Sequence, residues 1–170
     1  AGVIYRTLDR GSQGIVVPHV NTLEEAKNVV NAGKFPPLGE RGMFPSRQSY
    51  DVEDYFLKAN DETLFIVLIE DIVAVNNLEQ ILSVDHIDVF FVAPSDLAAS
   101  MGFIGNNADQ TVLDTIDSAL TKIVQSGKVA GTLVTDANIS HYREIGVRLF
   151  ATPVQRWISG GIENFIQKIT

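Results

Sequence analysis

Short runs of apolar, β-branched residues recur along this chain, each separated from the next by an amphipathic or turn-forming stretch. The runs are residues 14–20 (GIVVPHV), 64–69 (LFIVLI), 87–92 (IDVFFV), 129–134 and 147–151. A strand that reads as a continuous apolar run has to be covered on both faces, as parallel strands are when helices pack outside them. That requirement excludes most architectures at once.

The intervening segments fit the same scheme. Residues 22–33 open on T-L-E-E, a capping box in which Thr22 and Glu25 can satisfy each other's free amides. They close at Gly33, where glycine suits a left-handed cap. Residues 34–42 (KFPPLGERG), with two prolines and two glycines, are expected to be a loop. Helical spacing recurs at 51–60, 73–82, 111–125, 138–145 and 158–169, and a loop is expected at 94–105. Alternating strands and helices leave a doubly wound α/β sheet or a (β/α)8 barrel of the TIM type. No G-x-G-x-x-G follows a strand, which weakens the dinucleotide-binding version of the first. Five strands are three short of a closed barrel. The expectation is therefore one domain over residues 1–170, the carboxy-terminal portion of a barrel with about five of its eight βα units.

Composition bounds the partners. With 21 acidic against 13 basic residues the net charge is −8, which disfavours nucleic acid. The chain has no cysteine, so thiolate metal sites and thiol nucleophiles are excluded. No apolar run approaches the roughly 20 residues that span a bilayer. The expectation is a soluble, cytoplasmic protein without a membrane partner.

In parallel α/β folds the chemistry sits at the carboxyl ends of the strands. Those positions hold Pro18-His19, Glu70-Asp71, Pro94-Ser95-Asp96, Thr135-Asp136 and Thr152. Glu70 and Asp96 follow the two most apolar strands. Two carboxylates that share one cavity need a counter-charge, and a hard divalent ion with oxygen ligands supplies it. The plainer alternative is that Asp96 caps a turn starting at Leu97, and that Glu70 or Asp71 caps the helix behind it. Thr135 and Asp136 are read as helix caps. His19 can face the cavity as a ligand or base, or can simply pack. His86 precedes a strand, at the wrong end for a site, and His141 lies in a helix among charged residues. Arg41 is the best-placed cation for a carboxylate substrate, although it can equally pair with a carboxylate across a subunit contact.

The run P-H-V-N-T-x-E-E-A…K-F-P-P-L-G-E-R-G, then I-E-D at 69–71, then F-V-A-P-S-D-L-A-A-S-M-G at 91–102, resembles the HpcH/HpaI aldolase family. These are metal-dependent class II pyruvate aldolases of the phosphoenolpyruvate/pyruvate barrel superfamily, related to citrate lyase β-type enzymes. The resemblance implies that Glu70 and Asp96 hold a divalent cation, commonly magnesium, manganese or cobalt, on which a keto acid is chelated. It implies that backbone amides near Ala93 and Ser95 orient the substrate carboxylate. It also implies partners of a small keto acid and an aldehyde, and a homo-oligomer, by family habit a hexamer of three dimers.

Some residues depart from the family pattern. G-P-A-D-L is replaced by Ala93-Pro94-Ser95-Asp96-Leu97, the usual glutamine by Leu68, and a common methionine by His19. A family member would carry about three further strands before Ala1, with a histidine base and a carboxylate-binding arginine. The family pairs that histidine with the aspartate of an L-D-x-G-x-Q run, which here is Asp9. Position puts Asp9 at a helix end facing away from its own barrel's site, so it would serve a neighbouring one. The reaction expected is reversible retro-aldol cleavage of a 2-keto-4-hydroxy acid to pyruvate and an aldehyde. The competing accounts are a citrate lyase-like or oxaloacetate-directed lyase or synthase at the same metal, and a non-catalytic partial barrel that acts by association.

Overall fold

The computed structural model describes residues 2–169. The chain runs α1 (Gly2–Asp9), β1 (Gly14–Val17) and α2 (Leu23–Gly33). A long connection with a 3₁₀ turn at Arg47–Ser49 then leads to α3 (Tyr55–Glu62) and β2 (Leu64–Ile69). Next come α4 (Ile72–Asn76), α5 (Leu78–Leu82), β3 (Val89–Val92), α6 (Pro94–Ser100) and α7 (Gln110–Gln125). β4 (Val129–Leu133), α8 (Ile139–Ile145), β5 (Leu149–Ala151) and α9 (Gln155–Ile166) complete the order.

Among the described residues the strands form one sheet in the order β1-β2-β3-β4-β5, every neighbouring pair parallel. This is the half-barrel of an α/β barrel that the apolar runs predict. Alternation along the strands sorts the side chains into two layers. Phe65, Val67, Ile69, Phe90, Val92 and Ala130 face the helices, where they pack with Ala26, Leu78, Ile116, Leu120 and Ile123. Burying one such Phe or Ile side chain contributes roughly 1.5–3 kcal/mol. Ile66, Val89, Phe91 and Ala93 point to the inner face with Leu68, Val129 and Leu149. Val16, level with Ile66 on β1, remains 57% exposed there.

Several boundaries differ from expectation, each for a local reason. β1 stops at Val17 because Pro18 has no amide to donate and His19 turns to φ +55°. Gly33 lies inside α2 and is not a left-handed cap. A Cβ there would fall 2.3 Å from the Phe65 ring, so close helix–strand packing explains the glycine. α3 begins at Tyr55 and not at 51, since Asp51 and Asp54 both have positive φ. The helix expected over 73–82 breaks at Asn77, whose side chain donates to the Asn21 carbonyl. The loop expected at 94–105 begins instead as α6, with Pro94 in its first turn.

Candidate active site

Glu70 is the residue directly after β2, on the same face as Ile66 and Leu68, and it is 5% exposed. A carboxylate this buried needs hydrogen bonds. The backbone N–H of His19 donates to its Oε1 at 2.8 Å, and Nδ1 of the same residue lies 3.2 Å from that oxygen. The left-handed backbone of His19 turns both nitrogens toward one acceptor, while its ring remains 78% exposed. One strand over, Ala93 follows β3, and its amide donates to the Ile69 carbonyl at 3.1 Å. That bond ties the ends of β2 and β3 together and occupies the Ala93 N–H.

Asp96 is exposed in the first turn of α6 and caps nothing; Ala93 holds the cap position. A negative side chain is favoured there by the helix dipole. Ser95 is also exposed, and its amide is one of the first-turn N–H groups that lack an acceptor within a helix. Asp71 does cap α4, its Oδ1 accepting from the Val73 amide at 2.8 Å, which leaves Glu70 free of that task. Asn138, and neither Thr135 nor Asp136, holds the cap position of α8, without a side-chain bond to the helix; its Oδ1 accepts instead from the Thr135 amide. His141 pairs with Asp117 at 2.7 Å, and exposed His86 precedes β3 with φ +64°.

Asp9 and Arg41 meet elsewhere. α1 ends at Asp9 just before β1 begins, and α2 runs back from the end of β1 to Gly33, so both residues lie at the amino ends of the strands. There Arg41 Nη2 donates to Asp9 Oδ1 at 2.6 Å. The Arg41 side chain is 2% exposed against 31% for Asp9, and its guanidinium carbon lies 4.4 Å from the Phe35 ring centre. Arg41 Nε is buried without a partner. The cation expected at the substrate thus forms a pair within its own chain. Beside it, Lys34 is buried with its ammonium on the carbonyls of Asn60 and Thr63, and burial pushes its pKa below the usual lysine value.

Glu70 and Asp96 offer the hard oxygen donors that suit a divalent cation. Among the described residues no three His, Asp or Glu side chains gather closely enough to enclose one. Two carboxylates would leave the remaining positions to water and a chelating substrate, so the donor set fits an ion shared with its ligand. The sequence reading passed over Tyr142 and Arg156, which line a cavity at this same end of the sheet. Their only sequence signal is proximity to the ends of β4 and β5.

A parallel half-barrel with a buried carboxylate and an exposed one at the carboxyl ends of adjacent strands defines the class: an α/β barrel protein with polar groups gathered at its strand ends. The sequence pattern of the HpcH/HpaI aldolase/citrate lyase family matches residues 2–163, and the chain belongs to that family. It is 38% identical over 157 residues to a hydroxypyruvate/pyruvate aldolase of Roseovarius nubinhibens, covering 89% of this chain and 61% of that relative. A 4-hydroxy-2-oxovalerate aldolase of Novosphingobium aromaticivorans is 38% identical over 164 residues, covering 95% of this chain and 60% of the relative. The chain thus spans about three fifths of the length of the curated relatives it matches. The crystal structure of a family protein from Burkholderia cenocepacia superposes with a TM-score of 0.91 at 29% identity, over 99% of this chain and 69% of that one.

Proposed function

We propose that this chain carries the metal-binding part of a divalent-metal-dependent carbon–carbon lyase. The reaction is reversible retro-aldol cleavage of a 2-keto-4-hydroxy acid to pyruvate and an aldehyde. The observation that carries this reading is the placement of Glu70, buried at the end of β2 with one oxygen held by His19, next to the strand that leads to Asp96. The names of the two aldolase relatives agree with it.

Glu70 and Asp96 would hold magnesium, manganese or cobalt. When bound, such an ion acts as a Lewis acid that lowers the energy of the enolate left by C–C cleavage. The protein's part is positional. His19 fixes Oε1 of Glu70, so the carboxylate presents a set orientation without rotamer search. The open amide of Ser95 is a donor for the substrate carboxylate, a role that the Ala93 amide, bonded to Ile69, does not share. Asp9 lies outside this site, and its service to a neighbouring site would require the homo-oligomer that family habit suggests.

Two measurements test the reading. Metal-free protein titrated with manganese should bind one ion per chain by calorimetry. The loaded protein should release pyruvate from 4-hydroxy-2-oxovalerate, and metal-independent release would refute the assignment. An associating, non-catalytic chain is the second reading, favoured by the outer edges of β1 and β5, which have no strand partner among the described residues. Ion binding without turnover, in an oligomer, would support it.

A further inference from the structure

Glu70 is held between two crossings of chain, and both come from the segment that carries Asp96. On one side the Ala93 amide donates to the Ile69 carbonyl at 3.1 Å. On the other the Ser100 hydroxyl oxygen accepts from the Ile72 amide at 2.9 Å, across 28 positions. Ile69 stands just before Glu70 and Ile72 two residues after it, so the backbone that bears the carboxylate is pinned on either side. Asp96 lies between the same two anchors, three residues after Ala93 and four before Ser100. One turn apart on α6, Asp96 and Ser100 share a helix face.

The Ser100 contact is more than a helix ending. Ser83 at the end of α5 and Ser126 at the end of α7 each donate to the carbonyl three residues back at 2.7 Å, as Ser100 does to Leu97 at 2.8 Å. Among the described residues neither Ser83 nor Ser126 accepts a bond from another element. Ser100 alone of the three also takes the amide of the first residue of α4. Giving its proton to Leu97 leaves the hydroxyl's lone pairs to accept from Ile72. The Ile72 amide is one of the first-turn donors that a helix cannot satisfy from within, and the Asp71 cap is committed to Val73.

We propose that Ser100 is a positioning residue for the Glu70–Asp96 pair. Its hydroxyl fixes the turn after β2 against α6 and so sets the separation of the two carboxylates. For the ion this role rests on the metal reading of Glu70 and Asp96; for the carboxylate it rests on the contacts alone. Removing the hydroxyl frees the turn at Ile72 and leaves Glu70 with the Ile69 anchor behind it and the His19 amide on Oε1. Two donors share one ion only at a set spacing, and groups that orient metal-holding side chains contribute about tenfold to 100-fold in affinity.

The His19 amide, bonded to Glu70 Oε1 and distant from Ser100 in sequence, reports on the carboxylate without any metal. Hydrogen exchange of the metal-free protein, read for single amides by NMR, should show His19 and Ile72 exchanging about tenfold faster in Ser100→Ala. Ser100→Thr keeps a hydroxyl that can bond the preceding turn and should restore both. Ser83→Ala removes the same local bond at the end of α5 and should leave both unchanged. Faster exchange at Ile72 alone would reduce Ser100 to a tie between helices and overturn the positioning role. Equal acceleration at the core amides of β2 and β3 would overturn it too, as a general loss of stability. Manganese affinity by calorimetry should fall about tenfold in Ser100→Ala and stay within about twofold of the parent in Ser100→Thr and Ser83→Ala. An unaltered affinity in Ser100→Ala would overturn the role at the ion. A parent that binds no manganese would sink the metal reading alone, because exchange at His19 still decides whether Ser100 fixes Glu70.

Discussion

The His19 amide reaches Oε1 of Glu70 at 2.8 Å across 51 positions of chain, and His19 Nδ1 stands 3.2 Å from the same oxygen. The loop after β1 thus holds the carboxylate that follows β2. The contact depends on a left-handed residue, because only that backbone turn brings the amide and the ring to one acceptor. A non-glycine residue pays strain at φ +55°, less for His or Asn and more for β-branched residues.

Position 19 should therefore respond to side-chain shape more than to polarity. His19→Asn, which tolerates the left-handed region, should lie within about 0.5 kcal/mol of the parent in urea denaturation. His19→Val should cost about 1–2 kcal/mol, since its branched Cβ resists that region. Equal stabilities for the two variants would show that the backbone relaxes without cost.

The carboxylate pair should govern metal affinity. Glu70→Gln and Asp96→Asn should each weaken manganese binding on the order of 100-fold in calorimetry, since each removes a charged oxygen donor from a set of two. Chelation of the metal from the parent should reproduce the loss of pyruvate release. An affinity unaltered in both variants would place the ion elsewhere.

The Arg41–Asp9 pair should be asymmetric. Asp9→Ala leaves a guanidinium that is 2% exposed without its partner, and should cost about 3 kcal/mol. Arg41→Met leaves a carboxylate that water can reach, at 31% exposure, and replaces the cation with an apolar chain against Phe35. Its cost should be nearer 1 kcal/mol, and the double variant should recover part of the loss from Asp9→Ala. Urea denaturation of the three proteins checks the order.

Lys34 gives a pH signature. Its folded pKa is lowered, first by burial and against the raising influence of Asp88 and Asp61, so the unfolded chain holds its proton more tightly. Where the unfolded state binds more protons, stability rises with pH. The stability of the parent relative to Lys34→Met should therefore grow as pH rises toward the ordinary lysine value from below. A difference flat in pH would mean that the buried ammonium keeps its ordinary affinity for the proton. Comparison with the variant matters, because Tyr142, shifted upward, changes stability in the opposite sense at higher pH.

Much of the architecture was legible because it rests on local periodicity. The apolar run alone bounds Leu64–Ile69, and Thr22 caps α2 as the T-L-E-E pattern requires. α6 does carry a local signal, a proline in the first turn followed by an acidic residue. Competing turn-forming residues in the 94–105 segment obscure it. α3 begins later than its hydrophobic spacing indicates, because the left-handed turns at Asp51 and Asp54 leave no mark on that spacing.

By itself the sequence determined the five parallel strands, the family, and the location of Glu70 and Asp96 beyond two of those strands. Each follows from the order of residues along the chain, and a strand end inherits its face from the alternation before it. Only the tertiary structure decided which polar groups meet. It gave Glu70 the amide of His19, and it tied Arg41 to Asp9 at the opposite end of the sheet. Those pairings depend on loop paths through left-handed residues and on how far each helix travels before it turns back. Neither is written in the periodicity that builds the strands.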